Sequence, residues 1–356
     1  MDMDVAVCHG PREVAVERAP VESPGREEVL VRVAYCGVCP WDVRAYTGGS
    51  RSVHYPLRLG HEATGVVESV GEGTAALGVG DRVVVDVIRR CGRCQPCQRG
   101  LENHCENADY SRGGFAEYLL APARNVHRLR DKTSLMAAAM TEPLACVVRG
   151  LNHIRAAEED VVLVAGAGPI GLLHVQLLVE RGATVIVSDL IDDRLETASD
   201  LGAVETIRPD ADSLIDKAMA VTDGFGVDAV VIATSEIDAV SQTLPLLGIG
   251  GRLLLFAGIY PDSKLMLDLN RIHYGEFALT GSSDYTSVEF AQALEHIETG
   301  AVEVVPLVSQ VFPLADVAEA LGAVESNSGL KVLVRCDERE AFEQGGFTYE
   351  RKVQTS

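Results

Sequence analysis

The chain has 356 residues and a formal net charge of −21, and 47% of it is hydrophobic, enough for about two domains with sizeable cores. The acidic balance argues against nucleic acid and against an anionic membrane surface, both of which select basic faces. No apolar run approaches the roughly 18–20 residues of a membrane span, and the start Met1-Asp-Met-Asp-Val-Ala-Val7 lacks a signal-peptide pattern, so the expected location is cytoplasmic.

Up to about residue 150, short β-type runs are broken by Gly and Pro: Val29–Ala34, Thr64–Val70 and Asp81–Ile88. This spacing predicts a partly closed antiparallel barrel. Cys39 follows the first run, in Cys36-Gly-Val-Cys39, and His61 stands in Leu59-Gly-His61-Glu62. A catalytic zinc needs about three protein ligands and one open position, and these two residues are candidates for it. A redox Cys-x-x-Cys is the alternative for Cys36 and Cys39, but the strand and helix context of that motif is missing.

The loop between strands carries Cys91, Cys94, Cys97 and Cys105. Four thiolates at this spacing fit one tetrahedral zinc and leave no open position, so the site reads as structural. Nine cysteines in a cytosolic chain fit metal ligands and buried thiols better than disulfides.

From about Asp160 the pattern changes. Val161–Ala165 is a continuous apolar run, as expected of a strand buried on both faces. Gly166-Ala-Gly168-Pro169-Ile170-Gly171 follows, then a helical stretch over Leu172–Arg181 and a second strand, Thr184–Ser188. Further strands are predicted at Ala229–Ala233 and Arg252–Ala257. This alternation predicts a doubly wound parallel sheet. A glycine fingerprint between strand and helix binds the pyrophosphate of a dinucleotide, because the backbone approaches closely and the helix start offers free N–H groups. Asp189, at the end of the second strand, can accept from the adenosine ribose hydroxyls and would repel a 2′-phosphate, which selects NAD over NADP. Arg194 offers a cation near that site, to pack on adenine or to pair with neighbouring acids.

After residue 285 a helix near Val288–Thr299 and strands near Val308–Val311 and Lys331–Val334 return to the first style. The first domain is therefore expected to be discontinuous: 1–150 and 285–356, with a zinc lobe at about 89–107, around a nucleotide domain at 151–284. The tail after Cys336 is polar.

Together and in this order, these motifs resemble the zinc-containing medium-chain alcohol dehydrogenases over about residues 4–336. The resemblance is carried by Cys39 with Asp42, Gly60-His-Glu-Ala-Thr-Gly65, the four-cysteine lobe and the glycine fingerprint. Thr141-Glu-Pro-Leu144, Leu269–Tyr274 and Gly281-Ser-Ser283 resemble the sorbitol, polyol, cyclitol and threonine dehydrogenase branch. It implies an α/β protein: a GroES-like antiparallel β-barrel catalytic domain plus a Rossmann nucleotide-binding domain. It also implies two zinc ions, one catalytic and one structural, and NAD.

The catalytic zinc would be held by Cys39, His61 and Glu142, the last directly or through water. Glu62 would be the neighbouring carboxylate that exchanges onto the metal, and Asp42 the partner of the His61 ring. Ala233-Thr234 and Ala257-Gly258-Ile259 would line the nicotinamide half, Ser282 would also bind the cofactor, and Lys331 would contact the pyrophosphate. Zinc would lower the pKa of a substrate hydroxyl, and a hydride would pass to the nicotinamide.

The sequence departs from this pattern twice. Trp41 stands where the family usually has the Ser or Thr that hands the alcohol proton outward, and Arg44 where many relatives have His. Tyr46, His54, a water chain or the substrate's own hydroxyls would then serve. Trp41 either walls a substrate pocket or fills core, and Arg44 is a candidate for a carboxylate or phosphate.

The expected activity is oxidation of a secondary alcohol of a polyol, cyclitol or amino-cyclitol. An amino-alcohol dehydrogenase of the threonine type and a non-catalytic NAD-binding sensor or structural subunit are the competing readings. The negative charge reads as solubility or salt adaptation, or else as steering of a cationic substrate. The expected partners are a small-molecule alcohol and a homodimer or homotetramer, with no nucleic acid and no membrane.

Overall fold

The computed structural model describes residues 1–49, 53–209 and 212–337. The polar tail expected after Cys336 lies, from residue 338 on, outside the described residues. Two compact units form: Met1–Glu142 together with the chain from Glu303, and Pro143–Val302. No helix among the described residues is long and apolar enough to cross a membrane.

In the first unit, β1 (Asp2–Gly10) and β2 (Glu13–Pro20) form an antiparallel hairpin joined by β4 (Leu57–Arg58). The main sheet contains β3 (Glu28–Gly37), β5 (Glu62–Val70), β6 (Arg82–Val85), β9 (Tyr118–Pro122), β10 (Val126–Arg128), β17 (Val308–Pro313) and β18 (Lys331–Arg335). Its order is β10-β6-β5-β3-β18-β17, with β9 also paired to β3. The expected antiparallel arrangement holds except for β17 and β18, which are parallel. Those two are joined through the helix Val317–Glu325, the crossover that a parallel pair requires. Two short strands, β7 (Ile88–Arg89) and β8 (Asp109–Tyr110), pair on either side of the four-cysteine loop.

The second unit carries β11 (Val161–Ala165), β12 (Thr184–Ser188), β13 (Glu205–Ile207), β14 (Val227–Ile232), β15 (Leu247–Leu255) and β16 (Ala278–Gly281). They form a parallel sheet in the order β13-β12-β11-β14-β15-β16. Val162–Val164, Val185–Val187 and Ala229–Ile232 are sealed from solvent, which is why these strands read as continuous apolar runs. Order reverses between β11 and β14, and crevices at such a switch point bind ligands beyond the carboxyl ends of the strands.

The helix Ser287–Thr299 falls in the second unit rather than the first. Arg149, on the helix Thr141–Ile154, reaches Glu289 on it at 3.3 Å, both side chains nearly buried.

Candidate active site

Strand β3 delivers the chain to Cys39, which caps the helix Pro40–Thr47. The Cys39 sulfur accepts from the Trp41 N–H at 3.4 Å, and Asp42 accepts from the Cys39 N–H at 3.1 Å. This reciprocal box satisfies helix-end donors and fixes the thiol at the helix start. The other oxygen of Asp42 accepts from the Gly60 N–H at 3.0 Å and lies 3.4 Å from His61 Nδ1. One fully buried carboxylate therefore ties the two motifs together. Burial would raise the Asp42 carboxyl, but His61 and the Gly60 and Cys39 N–H groups overcome it and hold it below its usual value. Burial would likewise lower the His61 imidazole, yet Asp42 and Cys39 raise it well above the ordinary histidine range. A metal there competes with a proton for the ring.

Ligand atoms of Cys39, His61 and Glu62 lie within 4.8 Å of one another. A thiol, an imidazole and a carboxylate at that separation suit zinc with a coordination position to spare. Glu142 does not join this cluster. It stands in the first turn of the helix Thr141–Ile154, and its charge bears on Lys331.

The Lys331 ammonium is buried at the start of β18, ion-paired with Glu62 and donating to the Val38 carbonyl at 3.2 Å. Burial lowers its affinity for the proton, but Glu62, Cys39 and Glu142 together raise it, so it stays charged. A side chain at Gly37 would collide with the Glu62 carboxylate and with the Lys331 stem, so only glycine leaves room for this pair.

Trp41 is half-buried, its ring nearly perpendicular to that of His61 with centroids 5.8 Å apart. Arg112 lies over the Trp41 ring at 4.3 Å and near the Tyr110 ring at 4.6 Å. Local sequence gave no signal of this arrangement, since Arg112 sits in a loop after β8. Tyr46 is half-buried, Arg44 is half-buried on the same helix, and His54 is exposed; none belongs to the cluster.

Cys91, Cys94, Cys97 and Cys105 converge in the same unit. Cys94 Sγ is 3.4 Å from Cys97 Sγ and 3.8 Å from Cys105 Sγ. Sulfurs about 2.3 Å from one tetrahedral ion would lie roughly 3.8 Å apart, so the set fits zinc. The Arg93 and Cys94 N–H groups pull the Cys91 thiol down to about 6. Burial and the neighbouring sulfurs push Cys97 up to about 12. Four thiolates this close need a cation among them.

In the second unit every remaining expected cofactor residue sits at a carboxyl end of the parallel sheet. Gly166 follows β11, and Gly168 caps the helix Pro169–Glu180, with Pro169 at its first position. Ile170 is in the first turn, where its carbonyl meets His174. A Cβ on Gly171 would strike the Gly166 carbonyl, so the turn closes only without one. Asp189, after β12, accepts from the Ala167 N–H at 2.6 Å and from the Ile191 N–H at 2.9 Å, bracing the glycine turn while each oxygen keeps a second lone pair. A Cβ on Gly168 would meet the buried Arg194 guanidinium at 3.9 Å. Ala233 and Thr234, after β14, lie against Gly166. Ala257 donates to the Ile232 carbonyl at 3.0 Å and leads into Gly258 and Ile259, and Ser282 donates to the Leu255 carbonyl at 3.3 Å.

Residues 25–131 match the Alcohol dehydrogenase GroES-like domain, and residues 169–299 match Zinc-binding dehydrogenase. The chain is 32% identical to a sorbitol dehydrogenase of Halalkalibacterium halodurans, over 93% of this chain and 98% of that one. The chain belongs to the zinc-type medium-chain alcohol dehydrogenase superfamily.

A D-arabitol-phosphate dehydrogenase of Enterococcus avium is also 32% identical, over 88% of this chain and 91% of its own. Among solved structures, the alcohol dehydrogenase rspB of E. coli CFT073, complexed with NADH, superimposes with a TM-score of 0.86 at 29% identity, covering 94% of this chain and 99% of that one. The chain is thus an α/β enzyme with a GroES-like unit and a Rossmann-type sheet, and an oxidoreductase.

Proposed function

We propose that this dehydrogenase oxidises a secondary alcohol of a polyol or cyclitol to a ketone, with NAD as the hydride acceptor. The observation that carries the reading is the Cys39–His61–Glu62 cluster braced by Asp42, in a chain that also holds a complete dinucleotide turn ending at Asp189. Zinc, when bound by Cys39 and His61 with a carboxylate from Glu62 or Glu142, acts as a Lewis acid that lowers the pKa of the substrate hydroxyl. The four-cysteine set would hold a second, structural zinc.

The chain's own residues do the rest. Asp42 fixes the His61 ring by its Nδ1 and so leaves Nε2 as the ligand atom. Lys331 holds Glu62 in place through their buried ion pair. Trp41 stands against the His61 ring and brings no hydroxyl for a proton relay at its position. Asp189 accepts from the adenosine ribose and disfavours a 2′-phosphate, which makes NAD the preferred dinucleotide.

The relatives' names support polyols as the substrate class. The test is NAD reduction, followed by nicotinamide absorbance, across polyols, cyclitols and amino alcohols, before and after zinc removal by a chelator. Turnover of polyols that is lost with zinc and regained on adding it back supports the reading. Turnover that survives complete metal removal contradicts it, and a strict requirement for an α-amino acid substrate favours the threonine-type alternative.

A further inference from the structure

Trp41 is the sole tryptophan of the chain, and it is not a core filler. It meets the His61 ring at nearly a right angle, and the Arg112 guanidinium lies over it at 4.3 Å. Tyr110 approaches the same guanidinium at 4.6 Å. Arg112 is thus clamped by two aromatic rings, one indole removed from the metal-ligand cluster.

The clamp leaves the cation's hydrogen-bonding edge unused. Among the described residues, Arg112 has no side-chain hydrogen bond and no ion pair, in a chain where 52 acids face 31 lysines and arginines. The nearby Arg89 and Arg90 behave differently, resting on Asp109 and Asp86. A guanidinium held over an aromatic face keeps its in-plane N–H groups for an acceptor in that plane, and a carboxylate or phosphate satisfies two of them at once. Arg112 is also within reach of small solutes: it lines a cavity of about 180 Å³ with Arg58, Arg89, Glu22 and Glu28.

We propose that Arg112 determines substrate specificity, its clamped guanidinium taking a phosphate or carboxylate carried by the polyol away from the reacting hydroxyl. The inference rests on the polyol dehydrogenase reading and narrows it to anionic polyols. It sets aside the amino-cyclitols, whose charge has the wrong sign for this clamp. In a chain of net charge −21 an anionic substrate needs a fixed local cation, and Arg112 supplies it beside the reacting centre.

Trp41 makes the test direct, because all tryptophan emission comes from the ring under Arg112. Zinc-loaded full-length protein is titrated with sorbitol, sorbitol 6-phosphate and gluconate, following Trp41 emission and, in parallel, the heat of binding. At least one of the two anions should bind about tenfold or more tightly than sorbitol, as charge-assisted bidentate pairing implies. The tighter of the two identifies the group that the clamp reads. Arg112→Gln should bring all three ligands to within roughly threefold of one another, and Arg112→Lys should restore part of the preference, as a charge without the planar fork. Equal binding of all three ligands by the wild type, or a preference that survives in Arg112→Gln, overturns the proposal. Arg112→Lys, which keeps the charge and most of the side-chain volume, carries the same comparison if Arg112→Gln fails to fold. NAD reduction with the same three compounds separates the two readings. Turnover of sorbitol with no preference for the anions overturns the Arg112 assignment and leaves the dehydrogenase reading standing. Preferential anion binding with no turnover of any sugar alcohol supports Arg112 and overturns the substrate reading.

Discussion

Asp42 Oδ1 lies 3.4 Å from His61 Nδ1 and accepts the Gly60 N–H, while Oδ2 of the same carboxylate accepts the Cys39 N–H. The geometry of the Cys39–His61–Glu62 cluster is therefore braced by a residue outside it.

Replacing Asp42 with Asn keeps the shape and removes the charge. Zinc affinity at the Cys39 site should fall by about 10–100-fold, the usual cost of losing a partner behind a metal-bound histidine. Competition with a chromogenic chelator measures it. Asp42→Ala should in addition cost about 1–3 kcal/mol for each buried N–H left without an acceptor, read as a lower denaturant midpoint.

Breaking the Lys331–Glu62 pair from one side should cost more stability than breaking it from both. Lys331→Met leaves a buried carboxylate uncompensated, a loss of roughly 3–5 kcal/mol. Lys331→Met combined with Glu62→Gln should recover most of that loss in denaturant titrations, though not the activity.

His174 predicts an acid limb of stability independent of the active site. It is fully buried on the helix after the glycine turn, against Phe256, and burial pushes its pKa down to about 4 from 6.5. The unfolded chain binds that proton near pH 6.5 and the folded chain does not. The contribution is therefore intact above about 6.5 and lost progressively as pH falls toward 4, by roughly 3 kcal/mol in all. His174→Leu should flatten the fall in unfolding free energy between those limits.

Much of this was legible in the chain. Val161–Ala165 and Thr184–Ser188 match their strands end to end, because strands buried on both faces are apolar throughout. The four-cysteine set and the glycine turn were legible because their chemistry requires fixed spacing. The Lys331–Glu62 pair is not legible, because the two residues are remote in sequence and nothing local marks a lysine as half of a buried ion pair. The helix Ser287–Thr299 was assigned to the wrong side for a similar reason, since its tie to Arg149 is tertiary. Arg112 was missed because loop position alone does not show which rings a guanidinium meets.

The proposed preference for NAD rests on one position, Asp189. Asp189→Ala should raise the KM for NAD by about tenfold or more, from the loss of hydrogen bonds to a charged acceptor, and should improve NADP relative to NAD. The ratio of kcat/KM for the two dinucleotides reads this. An unchanged ratio would remove Asp189 from cofactor selection.

The central claim is a zinc ion held by Cys39 and His61, with a carboxylate from Glu62 or Glu142. Anomalous diffraction at the zinc edge, from crystals of fully active protein, tests it most directly. Two peaks are expected per chain, one among Cys91, Cys94, Cys97 and Cys105 and one bonded to Cys39 Sγ and His61. A peak at the four cysteines with none at Cys39 and His61, in protein that still turns over its alcohol, would contradict the account.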